Sequence, residues 1–305
     1  KQLKATKEPL RRGRCVLFLL PKRDQPPSPA AFQLFDGFDG THVPFRRAYA
    51  TDALEFSIPD QLPSLLLASG GCPHRTVTQA RCGPVWTLAV DLGHHPARNY
   101  SVVVATLVDP SGRLVHASRI RQPRDETVSR EALAQLLSDC GSAVDFRSAK
   151  TPNVLVLRDG RLFENEDVGH YTSSLGGRVS LVEYRKRWNP QVVQANDGPT
   201  VPSGEFSAVL TGCSTMFVCS CRPRSSIALP ELAKVTWNDE WNQLGLSTAE
   251  LGRLLAASAS APGLGMHPRQ WPASLYWADG IAGTSDLDLR FRGIPCEDLG
   301  DVERS

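Results

Sequence analysis

The sequence lacks a long apolar run near its start: Cys15 to Leu20 is the longest there, far short of the roughly 20 residues a bilayer span needs. No cationic-then-apolar leader with a cleavage site follows it. The expectation is a cytoplasmic chain with no membrane partner. Charge of one sign is also missing, since 34 basic residues stand against 32 acidic ones for a net +2. No global field marks a nucleic-acid partner, so any such surface must be local. The eight cysteines lack the paired two-residue gaps of a zinc site. Cys213, Cys219 and Cys221 fall in TGCSTMFVCSC, where the spacing suits a strand. In a chain of this length reduced thiols are expected rather than a disulfide framework. Internal repeats and low-complexity tracts are absent as well.

What is present is enough apolar material for globular cores. A length of 305 residues at 41% hydrophobic accommodates two domains, and a chain opening on Lys1 reads as a fragment of a longer protein. Residues 1–80 are proline-rich and broken by turns, whereas from Gly83 onward β-branched runs alternate with helical patterns. A boundary near residue 80 follows. In the first part, Cys15 to Leu20 reads as a buried strand, Pro29 to Phe35 as a short helix capped by Ser28, and Gln61 to Ala68 as a helix stopped by Gly70 and Gly71. This is α/β material short of a complete domain.

The second part opens with the strand-like runs VWTLAVD (85–91), YSVVVATLVD (100–109) and RLVHASRI (113–120), the last two joined by the turn Pro110-Ser111-Gly112. Connections this short make antiparallel neighbours. Ser129 then caps a helix whose apolar face is Leu133, Leu136, Leu137 and Cys140, with Gly141 as its stop. NVLVL (153–157) is a continuous apolar run suited to a strand covered on both faces, and a right-handed crossover sets it beside the first strand. Three antiparallel strands, a helix and a parallel strand give an RNase H-like order. Strands at Val179 to Tyr184 and Met216 to Cys221, and a helix opened by the capping box Ser247 to Glu250, complete an α/β layer structure.

That topology brings two acids together. Asp91 ends the first strand and Asp159 follows the fourth, so both emerge at carboxyl ends on one sheet edge, where α/β sheets bind ligands. Two carboxylates about 4 Å apart repel by roughly 4 kcal/mol at an effective dielectric near 20, and a divalent cation removes that cost. Magnesium suits an all-oxygen, partly hydrated site, and phosphodiester cleavage by two metals needs several oxygen ligands on one rigid edge.

Several segments resemble the PIWI domain of Argonaute proteins, the prokaryotic type in particular. VLVLRDGRLFENE (154–166) resembles its strand and Arg-Asp-Gly turn, DETVSREALAQLL (125–137) its glutamate-finger loop and following helix, and WPASLYWADGIAG (271–283) its late segment carrying the fourth acid. On that resemblance Asp91, Glu126, Asp159 and Asp279 match the catalytic tetrad. Asp91, Asp159 and Asp279 are the implied ligands of two Mg2+ or Mn2+ ions, and Glu126 is the implied mobile finger. VSLVEYRKRWNP (179–190) resembles the family's strand leading into a basic loop, which makes Arg185, Lys186 and Arg187 implied phosphate contacts.

The resemblance implies a guide-directed endonuclease whose partners are a short guide nucleic acid and a complementary DNA or RNA target. Further Argonaute domains, or a partner protein, would lie outside this chain. Residues 1–80 resemble part of the MID domain that holds a guide's 5′ end, but LPSLLLASGGCP (62–73) has Ala68 where the family has lysine. Arg46 and Arg47 are candidates to grip a phosphate in its place, or the guide begins with a hydroxyl. Two other classes share features with the sequence. One is a catalytically silent Argonaute-like module that acts through a partner effector. The other is a sugar-kinase or actin-like ATPase, whose first phosphate loop AVDLG (89–93) resembles and whose strand order is shared.

Overall fold

The computed structural model describes residues 16–20, 45–49, 79–94, 99–147, 151–162, 168–188, 206–209, 214–219, 232–260, 270–283 and 296–302. The chain divides into two compact units, Lys1–His74 with Ser285–Pro295, and Arg75–Thr284 with Cys296–Ser305. In the first unit the apolar run near the start forms β1 (Val16–Leu20), which pairs in parallel with β2 (Phe45–Tyr49). The helices expected over 29–35 and 61–68 lie outside the described residues.

The second unit is built on a mixed ten-stranded sheet. Its strands are β3 (Gln79–Ala80), β4 (Gly83–His94), β5 (Tyr100–Val108), β6 (Leu114–Pro123), β7 (Asn153–Asp159), β8 (Arg178–Trp188), β9 (Phe206–Val209), β10 (Thr215–Cys219), β11 (Leu232–Thr236) and β12 (Glu297–Asp301). They run in the order β12-β6-β5-β4-β7-β8-β11-β10-β9, with β3 paired to β4. β4, β5 and β6 are antiparallel neighbours, and β7 returns parallel to β4. This is the RNase H-like order expected of the sequence. The β5–β6 turn is tied by Asp109, whose Oδ1 accepts from the Ser111 and Arg113 amides, both at 2.9 Å.

The crossover is α1 (Arg130–Ser142), where the Ser129 hydroxyl accepts from the Ala132 amide at 3.1 Å. The helix runs through Gly141, one residue beyond the expected stop, and α2 (Val144–Arg147) follows. Leu133, Leu136 and Leu137 are fully buried, each worth about 2 kcal/mol of apolar transfer. Together with α3 (Val168–Leu175) they cover the sheet face that presents Leu88, Val90, Leu107, Val156 and Leu181. α4 (Thr248–Ser258) opens on the complete capping box between Ser247 and Glu250.

Strand alternation then fixes what the other face carries. With Leu88 and Val90 toward α1, Ala89 and Asp91 point away; with Val154 and Val156 toward α1, Leu157 and Asp159 do likewise. α5 (Ala273–Ala282) packs across β4 and β5 on this second face, where the buried Thr106 hydroxyl donates to the Ser274 carbonyl at 2.7 Å.

Candidate active site

Three aspartates far apart in sequence converge on that second face. Asp91 lies near the end of β4, where Val90 pairs with Arg158 of β7, so Asp159 is one step further along the neighbouring strand. Asp159 in turn pairs with Tyr184 of β8, two residues short of Lys186 on the same face. Asp279 comes from α5. It sits in the second half of that helix, not at its start, so one helical turn carries it over the strand ends.

The Lys186 ammonium joins all three. Its Nζ donates to Asp91 Oδ2 and Asp279 Oδ1, both at 2.7 Å, and lies 3.0 Å from Asp159 Oδ2. The lysine side chain is 10% exposed, and the Asp91, Asp159 and Asp279 side chains are 6%, 23% and 51% exposed. Burial works against the Lys186 charge, yet Asp91, Asp159 and Asp279 together raise its pKa above the ordinary lysine value. Burial first, and then the charge of Asp91, push the Asp159 carboxyl up to about 7, with Lys186 opposing. Trp271 walls the far side, its ring centroid 5.1 Å from the ammonium and its Nε1 donating to the Lys186 carbonyl at 3.2 Å.

Two glycines permit the arrangement. Gly160 follows Asp159 at φ +84° and donates its amide to the Tyr184 carbonyl at 3.1 Å, a left-handed turn that glycine makes without a Cβ penalty. Gly93, two residues after Asp91, lies where a Cβ would come within 2.8 Å of Ala282 Cβ. The missing side chain lets α5 approach β4 closely enough to deliver Asp279.

Glu126 stands apart from this cluster. It occupies the loop between β6 and α1, 88% exposed, with Oε1 3.8 Å from His94 Nε2. His94 ends β4 and exchanges a hydrogen bond through Nδ1 with the Ser101 hydroxyl at 2.9 Å. Arg185, Lys186 and Arg187 lie within β8 rather than in a loop after it, and Arg185 pairs with Lys234 of β11. Arg46 and Arg47 lie on β2 of the other unit. The role of Lys186 as the cation among the acids escapes a linear reading. The signal for it is alternation along β8, where Val182, Tyr184 and Lys186 share the Asp159 face.

The three carboxylates fit a hard divalent cation. They supply oxygen donors only, from three separate elements, around a position that a positive charge already occupies. Neither any protein-family model nor any curated protein sequence matches the chain. Solved structures do. The C-terminal lobe of a budding yeast Argonaute aligns over 90% of this chain and 62% of its own, at TM-score 0.67 and 13% identity. The fold is that of the Argonaute PIWI lobe.

Two prokaryotic Argonautes extend the likeness. Marinitoga piezophila Argonaute in complex with a 5′-hydroxyl guide RNA and target DNA aligns over 95% of this chain and 44% of its own, at TM-score 0.65 and 15% identity. Clostridium butyricum Argonaute bound to a guide DNA and a 19-mer target DNA aligns over 88% and 37%, at TM-score 0.64 and 12% identity. The chain thus spans about two fifths of the length of these prokaryotic Argonautes. Among the described residues no helix is long and apolar enough to cross a membrane.

Proposed function

We propose that this chain is the nuclease portion of a guide-directed endonuclease, acting on a nucleic-acid strand complementary to a short bound guide. The observation that carries the proposal is the convergence of Asp91, Asp159 and Asp279 on one cation position at the PIWI-type sheet edge. In this reading the three carboxylates hold two Mg2+ or Mn2+ ions, which when bound would activate water and stabilise the leaving oxygen of a phosphodiester.

The chain's own residues supply the rest. Asp91 and Asp159, rigid on adjacent strands, fix the spacing of the oxygen donors. Asp279 closes the cluster from α5. Glu126, on an exposed loop beside His94, is the finger that moves toward the acids once a guide–target duplex is seated. Lys186, the cation now held by the carboxylates, would give them up to the divalent ions and pair with a phosphate of the strand. Phosphate contacts by the basic run 185–187 would position a duplex without reading its sequence, and strand alternation leaves Lys186 as the one of the three on the acid face. The unit containing β1 and β2 serves as the partial guide 5′-end region; Arg46 and Arg47 are adjacent on β2, so strand alternation leaves one of the two to face a guide phosphate.

The test is cleavage of a labelled strand by the full chain loaded with a complementary guide in Mn2+ or Mg2+. Guide-dependent product is expected, reduced by on the order of a thousandfold or more in Asp159→Ala. Product that persists undiminished in that variant would overturn the proposal.

A second reading has one specific observation in its favour, the ion pairing of Lys186 with all three acids. If that pairing persists in the working protein, the chain is a guide- and target-binding module that acts through a partner effector. Mn2+ titration followed by electron paramagnetic resonance separates the two. Endonuclease chemistry requires Mn2+ binding by the wild type, strengthened by about tenfold in Lys186→Met because a competing cation is gone; the binding-only reading requires no Mn2+ uptake by the wild type.

A further inference from the structure

A second set of metal-ligating side chains lies on the opposite face of the same sheet. His116 on β6, Asp139 on α1 and Glu297, the first residue of β12, place one nitrogen and two oxygen donors all within 4.8 Å of one another. His116 Nε2 is 2.5 Å from Asp139 Oδ2. The location follows from alternation, since His116 shares a strand face with Ile120, which packs toward α1. Glu297 pairs with Ser118 in the β6–β12 register and so takes that face too. Strand spacings put His116 on the order of 15 Å from Asp91, two strands away and with the sheet between them.

The charges of β12 are managed unevenly. Asp298 pairs with Arg119 at 2.8 Å and Asp301 with Arg121 at 2.9 Å. Among the described residues no lysine or arginine pairs with Glu297 or Asp139. Two carboxylates therefore converge on a single imidazole, itself half-buried. Ser118, fully buried two residues along from His116, makes no hydrogen bond from its hydroxyl to nitrogen or oxygen. The Cys140 thiol beside it is a weak partner. A cluster short of positive charge and next to an ill-satisfied hydroxyl has the makings of a cation site completed by water.

We propose that His116, Asp139 and Glu297 bind one divalent transition-metal ion, zinc by its chemistry, which clips β12 to β6 and α1. An imidazole with two carboxylates is a zinc-type donor set rather than a magnesium one, and three protein ligands leave a position for water. The strand so clipped lies in the segment Cys296–Ser305 of the second unit, at the edge of its sheet. The ion fastens the edge of the sheet and takes no part in chemistry at the aspartate cluster.

Zinc titration of the chelator-treated full chain, by calorimetry, tests this. At least one zinc per chain is expected in the wild type, whose aspartate cluster also takes divalent ions under the proposed function. The same zinc is expected in the Asp91→Ala/Asp159→Ala double variant, which silences the other acids. Affinity falls by about tenfold or more in His116→Gln and in Glu297→Gln. Glu297 is exposed, so its variant keeps the test decisive if His116→Gln fails to fold. No zinc in the wild type, its loss in the double aspartate variant, or unchanged affinity in Glu297→Gln would each overturn the proposal.

Discussion

Burial, and the charge of Asp91 beside it, lift the Asp159 carboxyl to about 7, and the Lys186 ammonium offsets only part of this. A carboxyl raised in the folded state contributes stability that is complete below its unfolded value near 3.8 and is lost as pH rises through about 7. The metal-free protein is therefore expected to lose thermal stability between about pH 4 and pH 7, and Asp159→Asn is expected to flatten that part of the profile. Differential scanning calorimetry in a chelating buffer checks it, and equal slopes for wild type and variant would contradict it. Asp159 itself is legible in the sequence, because a five-residue apolar strand followed by Arg-Asp-Gly announces a residue at a strand end. Lys186 is not. Its neighbours Arg185 and Arg187 give it the look of a solvated basic run, and only the pairing of β7 with β8 decides which of the three turns toward the acids.

Among the elements, α5 is the piece whose position matters most to the cluster, and Gly93 is where the sheet admits it. A Cβ there would sit 2.8 Å from Ala282 Cβ and 2.9 Å from the Ala282 carbonyl oxygen. Backbone and a short side chain cannot swing aside, so the helix must move. Gly93→Ala is expected to cost about 1–3 kcal/mol, the range for overpacking a close contact, measured as a lower urea midpoint. It is also expected to draw Asp279 away from Lys186 and so weaken Mn2+ binding, whereas Gly280→Ala on the same helix, which meets nothing within 4 Å, leaves Mn2+ binding unchanged and raises the urea midpoint, alanine being the better helix former by about 1 kcal/mol. The β4-β5-β6-α1-β7 order was readable because each element carries its own periodicity and cap. The helix position of Asp279 was not, since WPASLYWADGIAG lacks a side-chain cap: Pro272 occupies the N-cap and makes no such bond.

At the scale of the whole molecule, the chain divides into two compact units. That division matters for how stability is measured: a two-unit chain need not unfold in one step, so amide exchange within β4 and β7 is the suitable probe of the second unit. The aspartate cluster and the His116 cluster lie on opposite faces of this sheet and share no side chain. Effects at sites more than about 7–10 Å apart without common partners add to within roughly 0.5 kcal/mol. Each ion at a hundredfold excess over its dissociation constant stabilises by about 2.7 kcal/mol. The exchange protection gained by the wild type from Mn2+ and Zn2+ together should therefore equal the sum of two separate gains. One is that of Glu297→Gln with Mn2+ alone, which keeps the aspartates; the other is that of Asp91→Ala/Asp159→Ala with Zn2+ alone, which keeps the zinc ligands. A wild-type gain no larger than either variant's would mean that both ions contend for one place, and the two-face arrangement would fall.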